Sequence, residues 1–188
     1  FVHGGFAKDE FSIVERPAGG SGEAVKMLVT PLSQKLVLMP SAWSPDGKIL
    51  AIVQQDMKSN TSDVLMLEQE SGGAGAKWKA TPYLKSPADG HALRFSPDGK
   101  WVVFCSVESG RHELYVQRFT GTGSGADDAK AGRVQISTNG HDGAAWWSAD
   151  GKEIRFIDAE KQLVSVDVKT DPTLSVSLPK TLYSLKDL

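Results

Sequence analysis

The sequence predicts an all-β chain built from a repeated four-stranded antiparallel unit, on three observations. A turn hexapeptide recurs at one spacing, an apolar strand-like run follows each copy, and no segment carries a helical pattern long enough to stand alone. The copies are Trp43-Ser44-Pro45-Asp46-Gly47-Lys48, Phe95-Ser96-Pro97-Asp98-Gly99-Lys100 and Trp147-Ser148-Ala149-Asp150-Gly151-Lys152. Their serines, at 44, 96 and 148, stand 52 residues apart both times. Self-similarity at a fixed period is the sequence mark of a repeat architecture.

The hexapeptide carries turn chemistry. Pro presets φ for the first corner, Asp bonds its own backbone, and Gly accepts the left-handed conformation. Asp46, Gly47, Asp98, Gly99, Asp150 and Gly151 are therefore read as structural turn residues. Ala149 departs from Pro and leaves the Asp-Gly pair intact.

Each turn joins two antiparallel strands. Ser41–Trp43, Ala92–Phe95 and Ala144–Trp147 precede the turns, and Ile49–Val53, Trp101–Phe104 and Ile154–Ile157 follow them. The runs at 49–53 and 101–104 are continuously apolar, as expected of strands covered on both faces. Third strands are read at Val64–Leu67, Leu114–Phe119 and Leu163–Val168, and fourth strands at Thr81–Leu84, Val134–Ser137 and Thr181–Leu185. Gly-rich links stand between third and fourth strands at 70–75 and 121–125.

A four-stranded unit repeating at this period predicts a β-propeller of four-stranded antiparallel blades. Phe11–Glu15 and Lys26–Thr30 read as third and fourth strands of an earlier unit, with Phe1-Val2-His3 as the tail of its second strand. The reading is a single propeller domain or propeller fragment over 1–188: a partial blade at 1–35 and complete blades at about 36–86, 87–138 and 139–188. Three complete blades thus accompany one incomplete N-terminal blade. Trp43, Phe95 and Trp147 hold one place in each repeat and are expected to pack between neighbouring units.

Composition narrows the classes of partner. The 21 basic and 23 acidic residues give a formal net charge of −2, no footprint for nucleic acid or an anionic membrane. No apolar run approaches the ~20 residues that span a bilayer, so no membrane insertion is expected. The single cysteine, Cys105, lies in an apolar run and reads as a small buried hydrophobe.

The Trp/Phe-Ser-Pro-Asp-Gly-Lys turn, its apolar strand and the following Glu113-Leu114-Tyr115-Val116 resemble the TolB-like, WD40-like propeller repeat, over roughly the whole chain. The Gly-His and Trp-Asp pairs of WD40 repeats proper do not occur here, which favours the TolB-like branch. The stretch from Pro82 to Phe119, with Lys169-Thr170-Asp171-Pro172, looks most like the extracytoplasmic C-terminal propellers of bacterial serine/threonine kinases. The resemblance implies a periplasmic or extracellular, non-catalytic module that binds a protein or small ligand at the propeller face. It leaves an alternative open, the accessory substrate-gating propeller of a prolyl-oligopeptidase-type peptidase whose hydrolase domain is absent here.

The residues name no catalyst. A hydrolase elbow needs Gly-x-Ser-x-Gly between a strand and a helix. Gly19-Gly20-Ser21-Gly22-Glu23 and Thr122-Gly123-Ser124-Gly125-Ala126 both miss that pattern. The Gly-rich run at 121–125 lacks the helix and Lys-Ser/Thr pair of a phosphate loop. The histidines, His3, His91, His112 and His141, lack metal-ligand spacing, so neither metal nor cofactor is expected. Asp89-Gly90-His91 and His141-Asp142-Gly143 precede two innermost strands, whose lead-in links face the mouth of a propeller channel. His91, Arg94, His141, Asp142 and Trp146 are therefore the candidate ligand-binding residues. An open arc of blades also leaves apolar sheet faces at its ends. The sequence thus predicts either a homodimer that completes a ring or a four-bladed monomer.

Overall fold

In each sheet, apolar runs bounded by turns pair antiparallel with their sequence neighbours. The computed structural model describes all residues except 1, 8, 18, 20, 21, 71–76, 87–92, 124–131, 142, 144, 187 and 188. It divides into two compact units, Phe1–Asp89 and Gly90–Leu188. A 3-10 turn forms at Leu32–Gln34.

The first unit holds two sheets. One runs β1 (Val2–Ala7), β2 (Glu10–Glu15) and β3 (Val25–Pro31), and the other runs β4 (Leu36–Trp43), β5 (Ile49–Asp56), β6 (Thr61–Gln69) and β7 (Trp78–Ser86). Their shared core joins Phe11, Ile13 and Met27 to Leu38, Leu50, Ile52, Leu65 and Leu67, with Trp43 packed against it. Gly4 permits the close approach of β1 to β4, because a Cβ there would lie 2.7 Å from the Leu38 carbonyl oxygen. Val2–Ala7 forms a full strand where the sequence indicated only a tail.

The second unit also holds two sheets. The third sheet comprises β8 (Leu93–Phe95), β9 (Trp101–Ser106), β10 (Glu113–Arg118) and β11 (Val134–Gln135). The fourth comprises β12 (Ala145–Trp147), β13 (Glu153–Ile157) and β14 (Gln162–Lys169), and both β15 (Ser175–Val176) and β16 (Lys180–Ser184) pair with β14. Trp101, Val103, Cys105, Leu114 and Val116 pack on Ile154, Phe156, Val164 and Val166, with Trp147 against that core. Every residue of β9 is buried, as its continuous apolar run requires, whereas β13 alternates. The short strand β15 has no counterpart in the sequence reading. Its two residues, Ser175 and Val176, carry too short a pattern to register.

Trp43 and Trp147 therefore sit against cores shared by two sheets. Phe95 is buried and meets Phe119 edge-to-face, with ring centroids 5.2 Å apart.

Candidate functional site

The three hexapeptides close with one geometry. Ser44 Oγ donates to Asp46 Oδ1 at 2.6 Å, Lys48 N donates to the same oxygen at 3.2 Å, and Ile49 N donates to Ser44 Oγ at 3.0 Å. At Ser96, Asp98, Lys100 and Trp101 these distances are 2.6, 3.1 and 3.0 Å. At Ser148, Asp150, Lys152 and Glu153 they are again 2.6, 3.1 and 3.0 Å. Gly47, Gly99 and Gly151 hold φ of 72, 70 and 70°, in the left-handed region that glycine tolerates best. Ala149 in place of Pro leaves the turn unchanged.

Those bonds favour the ionised carboxylate. Ser44 and the Lys48 amide hold Asp46 below the ordinary carboxylate value, and Ser148 with the Lys152 amide does the same for Asp150. At Asp98 burial pushes upward, and the Ser96 and Lys100 bonds outweigh it.

In the second unit two of these turns face one another across a groove of about 630 Å³. The third sheet contributes Pro97, Asp98 and Trp101, and the fourth contributes Trp147, Asp150 and Lys152. The antiparallel register brings the far end of β14 to the same place. Glu153 lies opposite Asp167, and Val168 N donates to the Lys152 carbonyl at 2.7 Å. Asp167, Val168, Lys169 and Asp171 complete the wall. A Cβ on Gly151 would lie 3.6 Å from Pro97 Cδ, so the two turns lie close together at the base of the groove's wall. Trp147 Nε1 donates to the Arg94 carbonyl at 3.4 Å, tying β12 to β8. Concave, mostly apolar sites with a few fixed polar groups are where ligands bind.

Of the sequence-predicted residues, Arg94, His141 and Trp146 are described, and none of them lines this groove. Arg94 and Trp146 hold the same position on the edge strands β8 and β12, each one residue before the turn's aromatic. Arg94 is half-buried, burial lowers its pKa, and its Nη1 donates to the Leu93 carbonyl at 2.9 Å. Trp146 is 44% exposed. His141 stands in the link that leads into β12. His91 and Asp142 lie outside the described residues.

Glu113 anchors that link. Its fully buried carboxylate accepts bonds from the Gly140 amide at 3.1 Å and from Ser137 Oγ, and it pairs with Arg111 Nε at 2.8 Å. A smaller cavity of about 200 Å³, lined by Thr138, Gly140, Asp158 and Gln162, opens beside it. Sequence reasoning missed the groove. Its signal was present in Trp101 and Trp147, in the paired turns and in the aspartates at 167 and 171, but nothing in a linear chain says that they converge. Among the described residues no group of three His, Cys, Asp or Glu side chains is placed to hold a metal ion. No described helix is long and apolar enough to cross a membrane.

No protein-family model matches the chain, and no curated protein matches it. Solved structures do. The protein assigned as TolB in Agrobacterium tumefaciens shares 18% identity over 93% of this chain and 61% of its own, with a TM-score of 0.53. The protein assigned as dipeptidyl aminopeptidase IV in Bacteroides ovatus shares 17% identity over 94% of this chain and 27% of its own, with a TM-score of 0.58. This chain therefore spans less than two thirds of either protein. The likenesses show a fold, that of a TolB-like β-propeller, and the fold alone.

Proposed function

We propose that the chain is a non-catalytic recognition module of the extracytoplasmic type, part of a larger propeller. On this reading the four sheets are three complete blades and one that lacks its innermost strand. The observation that carries the recognition role is the groove of about 630 Å³ between two repeated turns, floored by tryptophan and rimmed by carboxylates. Arg94 on β8, Trp146 on β12 and His141 in the link before β12 offer a second contact for a protein partner.

The test is a titration of the purified chain with a mixture of capped tripeptides, read by tryptophan fluorescence and by amide exchange. A saturable response at the groove or at this second contact supports recognition, and no response at either overturns it. A substrate-gating role beside a peptidase is the second reading, favoured by the fold likeness to the dipeptidyl aminopeptidase. Hydrolysis of Ala-Pro-p-nitroanilide that follows the purified chain would overturn the non-catalytic assignment.

A further inference from the structure

We propose that the groove between the turns of the third and fourth sheets binds a cationic peptide segment, with an arginine or lysine side chain held beside Trp147 among the carboxylates. The proposal rests on the recognition reading and names its ligand class.

Charge carries the argument. Asp98, Asp150, Asp167 and Asp171 line the groove against only Lys152 and Lys169, a local balance of −2 from four acids and two bases. Among the lining side chains acids thus outnumber bases, and the apolar walls strengthen their field.

The carboxylates are also held ready. In both turns the Ser hydroxyl and the Lys amide bond Oδ1, which fixes the carboxylate in place and keeps it ionised. Asp167 and Asp171 are exposed and belong to neither turn. A cation entering the groove thus meets two fixed and two adaptable carboxylates.

The apolar wall suits the rest of the ligand. Trp101 already carries a guanidinium on its ring, with Arg118 Cζ 6.0 Å from the centroid, and it is only 7% exposed. Trp147 is the more open indole, and its bond to the Arg94 carbonyl orients it. An indole beside carboxylates is an environment that attracts a desolvated cation. The methylene stem of an arginine and an apolar neighbour would cover Pro97 and Val168. A phosphate-bearing ligand meets like charge, and an uncharged one leaves the acidic excess unneutralised.

The probe is N-acetyl-leucyl-arginyl-leucinamide, titrated while following tryptophan fluorescence and amide exchange at residues 167–171. The citrulline peptide keeps its shape without the charge, and the glutamate peptide reverses it. The arginine peptide is expected to bind saturably, the citrulline peptide roughly tenfold more weakly, and raised salt to weaken the arginine peptide. In a Asp167→Asn, Asp171→Asn double variant, affinity for arginine is expected to fall roughly fivefold while citrulline binding stays level. Circular dichroism reports whether that variant is folded. Should it not fold, the citrulline and salt comparisons on the native chain still decide. Equal binding of the arginine and citrulline peptides overturns the ligand class and leaves the recognition reading standing. No saturable response to the arginine peptide at millimolar concentration also overturns it, and spermidine competing as well as the peptide would assign the groove to a free polyamine instead.

Discussion

The third sheet is held locally at its turn, as the fourth is, and over long range at its other end. At the turn end, Ser96 and Ser148 close their turns with bonds that span two to five residues, and Ser44 does so in the first unit. At the other end of the third sheet, Glu113 gathers Ser137 and Gly140 from 24 and 27 residues away, and Leu114 N donates to Ser137 Oγ at 2.8 Å. Arg133 adds a long-range tie along the same sheet, bonding Gln117 Oε1 at 2.8 Å and Glu108 Oε2 at 2.7 Å with its guanidinium 5.0 Å from the Phe104 centroid. Local bonding repeats because the same six residues always meet. Long-range bonding joins segments that the repeat does not bring together, and it can position a unique link such as the one bearing His141.

The largest expected effect falls on the long-range end. Glu113→Ala removes a buried carboxylate and leaves the Ser137 hydroxyl and Gly140 amide without their acceptor, at an expected cost of about 3 kcal/mol. Chemical denaturation measures it. A loss under ~1 kcal/mol would mean that the link is held by other contacts and that the contrast between the ends is smaller than drawn.

Ser96→Ala comes next. It deletes one hydroxyl that donates to Asp98 and accepts from the Trp101 amide, at about 1–2 kcal/mol. Ser44→Ala and Ser148→Ala are expected in the same range, because all three turns share one geometry. A wide spread among the three would break the claim that these ends are locally determined. Gly47→Ala is smaller, about 1 kcal/mol, since open space surrounds the position and only its φ of 72° opposes a side chain.

The pH effect is the smallest and separates the ends most cleanly. Asp46, Asp98 and Asp150 have folded pKa values below the ordinary 3.8. Their stabilisation is therefore complete above that value and is lost as pH falls through the depressed ones. Thermal melting from pH 5 to pH 2 is expected to fall less steeply in the variant carrying asparagine at all three positions. An unchanged slope would place the acid sensitivity elsewhere.

Turn and strand content were legible from the residues, because a Ser-x-Asp-Gly turn is closed by its own atoms. The strands at Ile49–Val53 and Trp101–Phe104 were equally plain, being runs whose every residue is apolar. The limits of β7 at Trp78 and Ser86 were not, since Lys79, Thr81 and Lys85 are paired by β6 and not by any pattern of their own. Arg94 and Trp146 fall on β8 and β12, the strands that lead into the turns.

Sequence alone thus determined the repeat, the turn geometry and the strand order within a sheet, all set by contacts among near neighbours. Tertiary structure decided where the concavity lies. Trp101, Trp147, Asp98 and Asp171 come from separate segments and share a groove only because two sheets pack face to face around Ile154, Phe156 and Leu114. That packing is driven by non-directional burial of apolar area, which a linear pattern records as hydrophobic without saying against what.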